Sequence, residues 1–99
     1  MIHRYWRGLA HHHFANAYVD FLRTDTVPHL QEIPGFQGIS VLKRAGAEGI
    51  EFIVITRWDT LESIVTFAGN DAESAVVPEE VRQMMREFDL RTRHYVDAL

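Results

Sequence analysis

The chain has no cysteine. That absence removes a disulfide framework, a thiolate nucleophile and every cysteine-ligated metal site. It also lacks a basic excess: ten Lys and Arg stand against fourteen Asp and Glu, for a net charge of -4. Nucleic acid, whose phosphates call for a clustered basic face, is not an expected partner. No apolar run reaches the length of a membrane span or a signal-peptide core, and "MIHRYWRG" is charged near its start. No membrane association is expected, and the cytoplasm is the expected compartment. GxSxG, a P-loop and GxGxxG are missing too, so hydrolase, phosphoryl-transfer and dinucleotide readings have no support.

Ninety-nine residues with 46% apolar content and no low-complexity tract imply one domain, residues 1–99, near the lower end of what folds alone. "IHRYWRG" reads as a first strand. Phe14, Tyr18, Phe21 and Leu22 then fall on one side of a helix over 14–27, which Pro28 closes or kinks. After the "IPGFQG" turn, "FQGISVLKR" and "IEFIVITRW" form a hairpin across "AGAEG". Asp59 and Glu62 form a capping box for a helix bearing Leu61, Ile64, Val65 and Ala68, which ends at Gly69. Pro78 opens a further helix with Val81, Met84, Met85 and Phe88 as its apolar stripe, and "RTRHYVDA" is the last strand.

This order predicts an α+β fold: a ferredoxin-like split βαβ arrangement with a four-stranded antiparallel sheet, strands one and three central, and helices on one face. The third strand is apolar on both sides, with Phe52, Val54, Thr56 and Trp58 alternating with Ile53, Ile55 and Arg57. Helices hide only one of these rows. A second copy packed sheet to sheet is the simplest cover for the other, so a homodimer is expected.

The segments "IHRYWRG", "IPGFQGISVLKR", "EFIVITRWDTLESIVTFAGND", "AVVPEE" and "HYV" stand in an order that resembles the antibiotic biosynthesis monooxygenase (ABM) family of dimeric α/β barrel proteins. The resemblance spans residues 2–97 and is a pattern of aromatic, glycine and strand positions. It implies a small monooxygenase, with cofactor-free oxidation of phenols and haem degradation both represented in the family. Positions that haem-degrading members fill with Asn, Trp and His correspond here to His3, Phe67 and Val77. All three differ, and valine has no nitrogen to offer iron. No cofactor is therefore expected.

A cofactor-free oxygenase needs an apolar pocket, a base and groups that stabilise an anion. His3 and His94 are the expected bases, brought close if both face the helices; Tyr5, Trp58, Phe67 and Arg57 are the expected substrate-binding residues, and Arg4, Arg7 or Arg57 is expected to hold an oxyanion. Each also has a plainer reading. His94 fits a packed strand residue, Trp6 and Trp58 fit core or interface aromatics, and Arg57 fits a dimer rim. "HHH" at 11–13 is not an expected metal site, because consecutive side chains diverge in helix and strand alike. The function expected is oxidation of a small aromatic or quinonoid compound between sheet and helices. The alternative is a non-catalytic dimer of the same fold that binds a small apolar ligand or serves interaction alone.

Overall fold

The computed structural model describes residues 1–99. Strand β1 (Ile2–Ala10) leads through a 3-10 turn (His12–Phe14) into α1 (Ala15–Phe21), a π-helical stretch (Leu22–Thr26) and α2 (Val27–Gln31). Next come β2 (Phe36–Ala45), β3 (Ile50–Trp58), α3 (Leu61–Ala68), α4 (Glu79–Met84), β4 (Met85–Phe88) and β5 (Arg93–Val96). The sheet is antiparallel in the order β2-β3-β1-β4, with β5 also paired to β1. The ferredoxin-like layout and the central places of β1 and β3 are as the sequence predicts.

Three elements differ from the sequence reading. The fourth position in the sheet is shared by two short strands: β5 pairs with Ile2–Tyr5 and β4 with Gly8–Ala10. The helix expected to carry Met85 and Phe88 stops at Met84, since the open edge of β1 offers hydrogen bonds there. A register shift between Leu9 and Ala10 lets Met85 and Phe88 both turn to the helix side, which mimics a helical stripe in sequence. Pro28 does not end the first helical segment. It sits in the first turn of α2, where no N–H is required, and the π stretch before it absorbs the change of hydrogen-bond register. The third difference is small. The cap of α3 is Thr60, whose hydroxyl accepts from the Ser63 N–H at 3.2 Å, while Asp59 accepts from the Ser63 hydroxyl.

Strand alternation sorts every sheet residue onto one of two faces. Ile2, Arg4, Trp6, Gly8 and Ala10 of β1 line up with Trp58, Thr56, Val54, Phe52 and Ile50 of β3 under the helices. His3, Tyr5, Arg7 and Leu9 look out with Arg57, Ile55, Ile53 and Glu51. The core below the helices falls into two clusters. One gathers Ala10, Tyr18, Leu22, Phe52, Val81 and Met85; the other gathers Leu30, Ile33, Trp58 and Ile64.

Candidate functional site

Between those clusters the packing is incomplete. A cavity of about 80 Å³ is walled by Trp6, Tyr18, Phe21 and Phe67 and floored by Val54 and Thr56 of β3. The π stretch contributes to it directly, since Leu22 and Thr26 both reach the lining. Residues 75–78 have no helix or strand and supply Val76, Val77 and Pro78 to the opposite wall.

Arg4 is the one charged group in this lining, and it is only 4% exposed. Its guanidinium donates to the carbonyls of Ala72 and Ser74, the latter at 2.7 Å, and lies 3.1 Å from His94 Nε2. No carboxylate pairs with it. The Phe67 ring sits 5.7 Å from the guanidinium carbon, within cation–π range. Burial brings the Arg4 pKa down to about 10, with the charge of Glu73 opposing the change. It stays a cation at neutral pH.

Because Arg4 only donates, His94 Nε2 must accept, and the imidazole is held neutral with its proton on Nδ1. Desolvation lowers the His94 pKa first and the Arg4 charge lowers it further, against Glu73. Tyr18 is 3% exposed and burial alone pushes its phenol pKa upward, so it remains a neutral hydroxyl. The Trp58 indole donates to the Thr56 hydroxyl at 2.8 Å and stacks on Phe67 at 5.8 Å between centroids.

The residues expected at the site are divided by the sheet. Phe67 lines the cavity, and Trp58 and His94 stand behind its wall. His3, Tyr5 and Arg57 lie on the other face. There His3 meets Asp97 at 3.0 Å, Tyr5 packs edge-on against Tyr95 at 6.3 Å, and Arg57 donates to Ser40 at 3.0 Å. His3 and His94 do not meet: their Cα partners in the β1–β5 pair are Tyr95 and Arg4, on alternate positions. Arg4 was one of three arginines expected to hold an oxyanion, and of these it alone lines the cavity; Tyr18 was not expected there. The signal for Arg4 was present, since Ile2, Trp6, Gly8 and Ala10 form the more apolar row of β1 and carry Arg4 inward with them.

No protein-family model matches the chain, and no curated protein matches it by sequence. Solved structures do. A Bacillus cereus protein described as a candidate antibiotic biosynthesis monooxygenase superposes with a TM-score of 0.65 at 17% identity, over 96% of this chain and 89% of that one. A variant of MhuD, crystallised with two manganese protoporphyrin IX molecules per active site, gives 0.62 at 15% identity over 100% and 96%. The chain has their fold. At such identity the likeness establishes architecture, in agreement with the resemblance read from the sequence. A porphyrin does not suit the lining found here. It holds no imidazole, thiolate or thioether for an iron, and its tyrosine is kept neutral.

Proposed function

We propose that the cavity is the active site of a small monooxygenase that oxidises an aromatic or quinonoid compound with molecular oxygen and no bound cofactor. The observation that carries this reading is an aromatic-walled, apolar cavity between sheet and helices, with a few polar groups converging on it. Such a site suits a substrate that does the redox chemistry itself. A phenol that gives its proton to water before entry arrives as the phenolate, an anion able to reduce oxygen, so the lining need not supply the base. Oxidation of a ring methylene to a carbonyl then takes one oxygen atom into the product and releases the other as water, with all four electrons drawn from the substrate. The protein excludes water and holds the ring. At about 80 Å³ the cavity is smaller than the roughly 150 Å³ of an engineered one that takes benzene, so the lining has to give on entry.

In this reading His94 steadies Arg4 instead of serving as the base, because its lone pair already accepts from the guanidinium. His3 is taken out of the chemistry, facing away across the sheet. A second reading, a non-catalytic dimer that binds a small ligand, is favoured by one fact: no free imidazole or carboxylate lies in the lining. Oxygen uptake with a panel of phenols and hydroquinones separates the two. Consumption that is abolished by Val54→Phe, which fills the cavity from its floor, and kept by His3→Ala supports the enzyme. Ligand binding without oxygen consumption supports the binder and overturns the oxygenase.

The functional unit we propose is a homodimer joined through the outer face of the sheet. Leu42, half exposed at 55%, Ile53, Ile55 and Tyr5 form an apolar middle there, between a His3–Asp97 end and an Arg7–Glu51–Arg44 end. An apolar centre with a polar rim is the anatomy of a protein interface. No helix is long and apolar enough to cross a membrane. The cytoplasm remains the compartment we assign, on the sequence reading alone.

A further inference from the structure

We infer that the cavity takes its ligand as an anion, held by Arg4 at one end, with the Tyr18 hydroxyl as a second polar anchor. The inference rests on the cavity being a ligand site, and does not require that the ligand be oxidised.

The first observation is an incomplete set of partners around a buried cation. A guanidinium has five N–H donors. Arg4 spends two on Nη1, toward Ala72 and His94, and one on Nη2, toward Ser74. The Nε–H and the second N–H of Nη2 have no acceptor within the chain. Nε makes no hydrogen bond and is not sealed from the surface, and Nη2 uses one of its two N–H groups, so donors remain free on a side chain that lines the cavity. Every acceptor it does have is uncharged. The Glu73 carboxylate acts on this cation through space only, with no hydrogen bond or ion pair to it, so Arg4 has no anion in contact, and burying a cation without one is costly. An anionic oxygen group on the ligand would supply it.

The second observation is at the other core cluster. Tyr18 packs on Phe52 at 4.9 Å and leans on Trp6 at 6.3 Å, yet its hydroxyl makes no hydrogen bond within the chain. A phenol that is 97% removed from solvent ordinarily finds a partner. The Tyr18 side chain lines the same cavity as Arg4, and its oxygen is not sealed from the surface. Tyr18 belongs to one core cluster, Arg4 lies against Phe67, which packs on the other, and apolar residues line the cavity they share. That describes a ligand with a flat apolar body, an anionic oxygen at one end and a polar atom toward the other. A phenolate and an aromatic carboxylate share this chemistry.

The test uses the full-length protein and four probes: 4-nitrophenol, its neutral ether 4-nitroanisole, 4-nitrobenzoate and 4-nitrobenzamide. Titration calorimetry above the phenol's pKa is expected to show at least tenfold tighter binding of an anion than of its neutral counterpart. The phenolate absorption band then reports a bound nitrophenol whose apparent pKa is at least one unit lower than in water. Preference for phenolate over ether, or for benzoate over amide, tells which anion the site was built for. Arg4→Met keeps the bulk, removes the charge and is expected to erase the preference. Tyr18→Phe, which removes only a hydroxyl, is expected to weaken the anion several-fold while the fold is retained. Equal affinity of wild type for anions and neutral isosteres, or no binding of any of the four, overturns the inference without needing either variant. Anion binding without oxygen uptake leaves the inference standing and removes the oxygenase.

Discussion

Trp58 shows how one side chain ties the cavity wall to the core. It is fully buried, stacks on Phe67 and satisfies its indole N–H on Thr56. Trp58→Phe keeps most of the packing and loses that hydrogen bond, an expected cost of ~1 kcal/mol and a fall in Tm of roughly 5 °C. Thermal melting checks it, and an unchanged Tm speaks against the bond. His94 gives a pH effect of definite sign. Its folded pKa lies below the ordinary histidine value, so the unfolded chain binds more protons in the interval between the two. Stability is therefore fully present above the unfolded value of about 6.5 and declines as pH falls toward the folded one. Melts from pH 7.5 to 5 are expected to show a steeper acid loss for wild type than for His94→Gln; equal slopes contradict the neutral, half-buried imidazole. The identities of these residues were readable in advance, but their faces were not. The sequence reading put His3 and Tyr5 at the pocket, whereas parity along β1 puts Arg4 and Trp6 there.

Among the elements, the strands of the hairpin and the centre of the sheet were legible because apolar runs bounded by glycines leave few other structures available. The C-terminal quarter was not. Met84 through Phe88 has the spacing of a helix face, and only the vacant edge of β1 and a one-residue register shift turn it into a strand. The helical segment before β2 was cut short in the reading because a proline ordinarily ends a helix, and the π stretch that accommodates Pro28 leaves no mark in the periodicity. The turn ahead of β2 carries a further constraint. Gly35 has φ of +95°, and a Cβ there would fall on the Ser63 hydroxyl and the Asp59 carboxylate, which hydrogen-bond each other at the start of α3. Gly35→Ala is expected to cost ~2 kcal/mol, lowering Tm by roughly 10 °C, through strain and loss of that hydrogen bond together. A melt within a degree of wild type contradicts the account of this turn.

For the whole molecule, the sheet divides two roles. Its inner face, with the helices, encloses the cavity; its outer face carries the apolar middle proposed to meet a second copy. Ile55→Lys puts a charge in that middle and is expected to convert a dimer to a monomer in sedimentation, whereas an 11.5 kDa wild-type monomer at micromolar concentration removes the proposed interface. The central claim is that ligands bind under the helices and not on the exposed sheet. It is tested most directly by methyl NMR of isoleucine- and valine-labelled protein, titrated with 4-nitrophenolate. The account predicts shifts at Val54, Val76, Val77 and Val81, with Ile53 and Ile55 unmoved. Shifts confined to Ile53 and Ile55 would contradict it.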